Sequence, residues 1–397
     1  MQKNLKRQRQ SHAGSAAAAG AIGRRSPDGA IDIGPALACS RVTTLSGRPY
    51  PVQFRSQGAI DAWTRTLENT RIWRRWQAPG TLCWQIRQEL LHQLERMAQP
   101  LEAGDMSRKV ADDRQRLAVE ISTNLKYHLS KGTVIEATPA LETLLTNSDV
   151  DLNLPMSMVA LPYRAQYLRF GEVAMRYLKV PASHAPDRFF DDVFCFLTPH
   201  DEVGAPGGAN WTLELVFTSK RQDCYSGHVS LLGETDRGST TVGEWLTVVL
   251  DAIKGQPEVE FHRPMHAAVS YVVRVFLYMA LKQARVMEHC EYDAAVLRAA
   301  GLGERKRAKL LQRLASLYNG IVVGPESVPL TAATGGTGSG VAPHWRRGHF
   351  RMQAFGAGNA QRKLIFVAPV LIHADQLQGE LAAPKPYRAG AAAMTGA

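Results

Sequence analysis

The sequence predicts an α+β fold on three observations. Apolar residues between Leu82 and Leu129 recur at spacings of three and four, the period of amphipathic helices. From about Leu154 the pattern changes to short β-branched and aromatic runs bounded by Pro, Gly, Asn and Asp, which marks neighbouring antiparallel strands. Beyond Pro264 two long helix-periodic stretches separate these strands from a final strand-like pair. The expected architecture is an N-terminal helical region, an antiparallel sheet completed by a C-terminal hairpin, and two long helices packed on the sheet.

Taken in order, residues 1–35 mix basic and small residues without a hydrophobic period and read as a disordered basic arm. No apolar segment follows its charges, so it does not read as a secretory signal. Residues 36–150 form the helical region, carried by Leu82, Ile86, Leu90, Leu94 and Met97, then by Val110, Leu117, Ile121, Leu125 and Leu129. Within it Trp73 and Trp76 fall on one helical face, and burial of that face is favoured over base stacking. Residues 151–375 form the α+β domain. Its strands come from LPMSMVALPYRAQYLRFG, FFDDVFCFLTP, NWTLELVFTSK and CYSGHVSLLG. Thr241 with Glu244 three residues on is a capping box for a helix to about residue 254. Helices are expected over 264–289, with Pro264 in the first turn, and over 293–318, burying Leu310, Leu311 and Leu314. Residues 324–342 read as a Gly-rich linker, HWRRGHFRMQAF and RKLIFVAPVLI as a hairpin, and 376–397 as a disordered tail.

With 397 residues, 45% of them hydrophobic and 21% charged, the chain is not a collagen, a long coiled coil or a wholly disordered protein. Its most apolar helical stretch, from Ala267 to Leu281, is interrupted by Arg274, so no membrane partner is expected. The five cysteines include no C-x-x-C pair and read as reduced, cytoplasmic thiols. No cofactor or metal is expected. His262 and His266 flank Pro264 without an H-E-x-x-H motif, and GGTGSG at 335–340 lacks the Lys-Ser/Thr of a phosphate-binding loop.

The net charge of +11 is concentrated. One cluster lies in the arm, one is Arg305, Lys306 and Arg307 with Lys309 and Arg313, and one runs from Arg346 to Lys363 with no acid between Glu326 and Asp375. Local Lys/Arg clusters are the footprint of a polyanion partner, with RNA favoured.

PHWRRGHFR, residues 343–351, is the most informative segment. His344 and His349 can act as acid and base, with Arg347 stabilising the charge of a pentavalent phosphate, which is the equipment of a metal-independent ribonuclease. Trp345, Arg346, Arg351, Arg362 and Lys363 are equally the equipment of a non-catalytic nucleic-acid-binding hairpin. In a regular strand, His344 and Arg346 share one face while Arg347, His349 and Arg351 share the other, so the histidines meet only if Gly348 bends the chain. The same alternation sends one of Arg346 and Arg347 to a carboxylate on the covered side and the other to a ligand.

This motif, the Gly-rich loop after it, the RKLIFVAPVLI strand and the upstream LPYRAQYLRFGE resemble the AcrVA-two-like proteins, a type V-A anti-CRISPR family of phages and other mobile elements. The resemblance spans roughly residues 150–375 and is specific at the nine-residue motif. It implies a protein acting in the cytoplasm of a bacterial host that lowers production of a CRISPR effector at the messenger level. The contact would be with RNA, a nascent peptide or the ribosome, not with the finished nuclease. A non-enzymatic nucleic-acid-binding or peptide-binding adaptor, of the plasmid-maintenance type, is the alternative class.

Overall fold

The computed structural model describes residues 31–40, 48–96, 105–159, 161–178, 181–182, 185–199, 210–221, 224–236, 240–251, 259–314, 316–328 and 344–372. Most of the expected arm, the end of the Gly-rich linker with GGTGSG, and the expected tail lie outside these residues.

Six helices come first: α1 (Gly34–Ser40), α2 (Tyr50–Ser56), α3 (Ala59–Leu67), α4 (Arg71–Gln77), α5 (Cys83–Arg96) and α6 (Asp105–Leu129). Strand β1 (Thr133–Ala137), α7 (Pro139–Thr146), the three-residue β2 (Ser148–Val150), β3 (Ala165–Arg169) and α8 (Glu172–Leu178) follow. A small ladder of β4 (Pro181–Ala182) and β5 (Ala185–Phe189) precedes the meander β6 (Asp192–Pro199), β7 (Asn210–Arg221) and β8 (Cys224–Asp236). Then come α9 (Val242–Asp251), α10 (Val259–Met279), β9 (Val286–Cys290), α11 (Glu291–Ala300), α12 (Glu304–Leu314) and β10 (Asn319–Val323). The described residues finish with β11 (His344–Arg346), β12 (Gly348–Phe355), β13 (Gln361–Val367) and β14 (Val370–Ile372).

The fold is α+β, and its main sheet has seven strands in the order β8-β7-β6-β3-β1-β10-β9. It is mixed, because β1 runs parallel to both β3 and β10. Helices cover both faces, so central strands alternate between two cores. On β6, Phe194 and Phe196 join the cluster of Trp63, Trp73, Trp76, Ile86 and Leu125, while Val193 and Cys195 join that of Trp245, Val272 and Phe276 from α9 and α10. Burial on both faces explains why β6 is apolar nearly throughout instead of alternating with polar residues.

Several expectations are corrected. The C-terminal hairpin does not complete the main sheet: β12 and β13 form a separate three-stranded sheet with β2. The helix expected over 264–289 spans Val259–Met279, with Pro264 inside it, and the residues beyond become edge strand β9. There, pairing with β10 overrides helix propensity. The helix expected over 293–318 is two helices separated at Gly301–Gly303, and of its three leucines only Leu314 is buried, Leu311 being 48% exposed. The capping box forms as the spacing dictates: the Glu244 amide donates to Thr241 Oγ1 at 3.2 Å, and the Thr241 amide donates to Glu244 Oε2 at 2.8 Å. Trp73 and Trp76 are both buried.

A carboxylate lies inside the helix-facing core. Glu214 on β7 is fully buried and accepts the Cys83 amide at the start of α5 at 2.9 Å. Burial pushes its carboxyl up to about 7, against the opposing pull of Arg87, the Cys83 amide and Lys126. A raised folded-state pKa means that this group stabilises the fold fully below its ordinary value and loses that contribution as pH rises through about 7. Relative to Glu214→Gln, the wild type should therefore lose stability between pH 4.5 and 8, by about 3 kcal/mol in the limit. Denaturation midpoints of both proteins at pH 5 and pH 8 check this; parallel pH dependences would refute it.

Candidate functional site

The hairpin that carries the histidine and arginine motif is held by β2, and β2 is held from below. Arg274 of α10, buried at 4% exposure, donates from Nη1 to the carbonyl of Leu145 at 2.5 Å and to that of Ser148, and from Nε to its own helix at Ser270. Burial lowers its pKa below the ordinary guanidinium value, while Tyr177 and Asp149 favour the charged form. Ser148 Oγ donates to the carbonyl of Leu144 at 2.6 Å. This three-residue strand is therefore fixed at both its backbone and its side chain.

Strand β12 then runs parallel to β2, with Gly348 opposite Ser148, His349 opposite Asp149 and Phe350 opposite Val150. The Gly348 amide donates to the carbonyl of Asn147 at 3.0 Å. Gly348 is required by close approach. A Cβ there would sit 2.6 Å from Ser148 Oγ, from the carbonyl oxygen of Val367 and from the ring of Pro369. The chain thus changes ladders at Arg347 and Gly348, since among the described residues β11 pairs with β14 and β12 with β13 and β2.

This change of ladder separates the two histidines. His344 is exposed and opposite Ile372, whereas His349 is half-buried on β12 opposite Val367. Arg347 donates to Asp149 Oδ1 at 2.9 Å, and both side chains are partly exposed. The Arg346 side chain is exposed and has no hydrogen-bonded or ionic partner among the described residues. The expected inequality of the two arginines is present, but the carboxylate pair sits at the surface, not on a covered side.

On β12 the inward positions are apolar. Phe350 stacks on Phe366 with ring centroids 4.5 Å apart, and Met352, Leu364 and Phe366 pack against the α10 side of the core. The outward face carries His349, Arg351 and Gln353, with Lys363 directly opposite Gln353. Lys363 Nζ lies 5.5 Å from the exposed Phe355 ring. Arg362 belongs to the other ladder face and donates to the carbonyl of Asn359 at 2.9 Å, closing the turn. Trp345 pairs with Leu371 through its backbone, and its side chain is outside the described residues. Arg305, Lys306 and Arg307 are exposed on α12, which packs on α11, so they do not belong to the hairpin.

Arg346, Arg351 and Lys363 are exposed cations of the hairpin segment. No group of three or more His, Cys, Asp or Glu able to hold a metal occurs among the described residues. His266 is exposed with Nδ1 3.5 Å from Ser270 Oγ, while the side chain of His262 lies outside the described residues. No helix among the described residues is long and apolar enough to cross a membrane. Sequence patterns do not place Asp149 or Arg274 at the site. The signal for Arg274 is a lone cation in an apolar helix; Asp149 has none.

No curated protein matches the chain significantly. Among solved structures, the crystal structure of AcrVA2 aligns over 80% of this chain and 99% of that one, at 11% identity and a TM-score of 0.37, too loosely to transfer geometry. The model of the AcrVA2-like family, described as the anti-CRISPR type V subtype A2 family, matches residues 135–374. That span starts in β1 and takes in the strand that holds the motif as well as the motif itself, so the chain belongs to the AcrVA2-like family of anti-CRISPR proteins.

Proposed function

We propose that this anti-CRISPR protein acts in the bacterial cytoplasm on the messenger RNA or the translation of its target, and that the outward face of β12 and β13 is its RNA contact. The observation carrying this reading is a ladder face with His349, Arg351, Lys363 and an exposed Phe355, on a strand fixed by β2, where the neighbouring carboxylate of Asp149 is paired with Arg347. Cations on a rigid ladder position a phosphate backbone, and an exposed ring offers a base a stacking surface. Binding without cleavage is the favoured chemistry, because His344 and His349 lie on different ladders and Arg347 already pairs with Asp149. A nascent peptide or the ribosome would then be reached alongside the RNA.

The test is RNA binding by the purified protein across a salt series. Arg351→Ala with Lys363→Ala should weaken binding and flatten the slope of log K against log salt by about 0.7 for each phosphate no longer neutralised. His344→Ala should leave affinity nearly unchanged, and RNA should stay intact in chelator. Absence of RNA binding at low salt, or an unchanged slope in the double variant, would overturn this reading. Metal-independent cleavage abolished by both His344→Ala and His349→Ala would replace it with the ribonuclease.

A further inference from the structure

Away from the hairpin, a cavity of about 190 Å³ opens between the helical layer and the main sheet. Four places in the chain line it: the end of α4 and the turn after it from Trp76 to Pro79, the end of α6 and the turn after it from Lys126 to Lys131, the entry to β3 at Arg164, and Leu197 of β6. Its apolar wall is Trp76, Leu129 and Leu197. Three of the ten lining residues are cations and none is a carboxylate.

Lys126 forms the floor. It is 4% exposed, and its Nζ donates to the carbonyl of Thr81. Burial draws its pKa below the ordinary lysine value; Cys83 and Glu214 oppose this, and Arg164 adds to it. Lys131 and Arg164 are exposed at the rim, and their side chains have no hydrogen-bonded or ionic partner among the described residues.

The end of the α6 helix does not account for this cluster. Its last carbonyls are already satisfied, with Lys126, Tyr127 and His128 accepting from the amides of Ser130, Gly132 and Lys131. The negative end of the helix dipole would favour one cation in the last turn, but Arg164 comes from another element and Lys126 is a buried member of the lining of a partly open pocket. Cations crowded in a concave, partly dry site are repelled until an anion joins them.

We propose that this pocket binds a phosphate monoester, with Lys126, Lys131 and Arg164 holding its phosphoryl oxygens. A monoester carries close to two negative charges at neutral pH, against one for a backbone diester, and so matches three cations lining one pocket better. Arg164 supplies a planar fork and the lysines supply point charges. The volume equals the share of about six waters, enough for one phosphoryl group and the first atoms of the molecule that bears it.

The experiment is calorimetric titration of the full chain with inorganic phosphate and AMP. Competition with a ribo-oligonucleotide carrying a 5′-phosphate, set beside its 5′-hydroxyl twin, completes it. Phosphate and AMP should bind at one site, and Arg164→Ala should weaken both by about tenfold or more. Lys131→Asn should do the same while keeping the left-handed backbone at φ 53°. Lys126→Met would be the strongest variant, but the two rim variants are the decisive ones because their side chains support no core packing. Competition by AMP alone assigns a small phosphorylated ligand, and competition by the 5′-phosphorylated oligonucleotide above its twin assigns an RNA end; both support the site. No binding, binding of inorganic phosphate only, or binding retained in the Arg164→Ala, Lys131→Asn double variant would overturn it. So would loss of phosphate binding in the hairpin variant Arg351→Ala with Lys363→Ala, which would place the anion on the hairpin.

Discussion

Arg274→Met should destabilise the protein by about 3–5 kcal/mol, more than a change to any exposed arginine. The guanidinium is the shared donor for the carbonyls of Leu145 and Ser148, where α7 ends and β2 begins. Methionine fills similar space but takes the guanidinium from the Ser148 carbonyl and leaves the Leu145 carbonyl only the Asn147 amide, and an unsatisfied buried acceptor costs its full desolvation penalty. The loss should also be local. Gly348 to Phe350 pair with β2, so their amide hydrogen exchange should accelerate more than that of β6 and β7 in the main sheet. A denaturation midpoint within about 1 kcal/mol of wild type would show that water replaces the guanidinium and that Arg274 does not hold the site. Arg274→Lys should fall between, since one ammonium can reach one carbonyl but not reproduce the fork.

Arg274 also shows how far the sequence is legible. Its place in an apolar helix is plain from composition, and a buried charge needs partners. Which partners it finds depends on β2, whose three residues are too few to show a period of two. Long or chemically distinctive signals read correctly: the meander of β6 to β8, the Thr241 and Glu244 cap, the indole face of α4, and the hairpin itself. Signals that depend on a distant partner do not. β1 falls within the stretch that reads as helical, yet it sits in the middle of the sheet between β3 and β10. β9 is exposed at every position, so no burial pattern separates it from the helix before it, and only the pairing with β10 makes it a strand. At the site, alternation makes Arg346 and Arg347 unequal, but the carboxylate that takes Arg347 is 198 residues away in sequence. The separation of the histidines follows from the strand period; its cause, a change of ladder and not a bulge, needs the neighbours of Gly348.

Gly348→Ala should be the most damaging single methyl in the motif. The residue is not in the left-handed region, so alanine meets no intrinsic backbone strain, and its whole cost comes from contact. Of the three atoms within 2.6 Å of the added Cβ, Ser148 Oγ belongs to a hydroxyl that can rotate, whereas the Val367 carbonyl is part of the β13 backbone and the Pro369 ring is fixed by its own closure. Relief therefore requires β12 to move away from β2 or from the end of β13. The expected loss is about 2–3 kcal/mol, the upper part of the usual range for overpacking. Either movement carries Arg347 away from Asp149, so Arg347→Ala should cost measurably less in the Gly348→Ala background than in the wild type. Adding Ser148→Ala should recover only a minor part, because the carbonyl and ring contacts remain. Denaturant titration of the four combinations of Gly348→Ala and Arg347→Ala checks both points. Additive losses would mean that the strand absorbs the methyl without displacing the ion pair, and the close approach of β2, β12 and β13 would then not be what orients the motif.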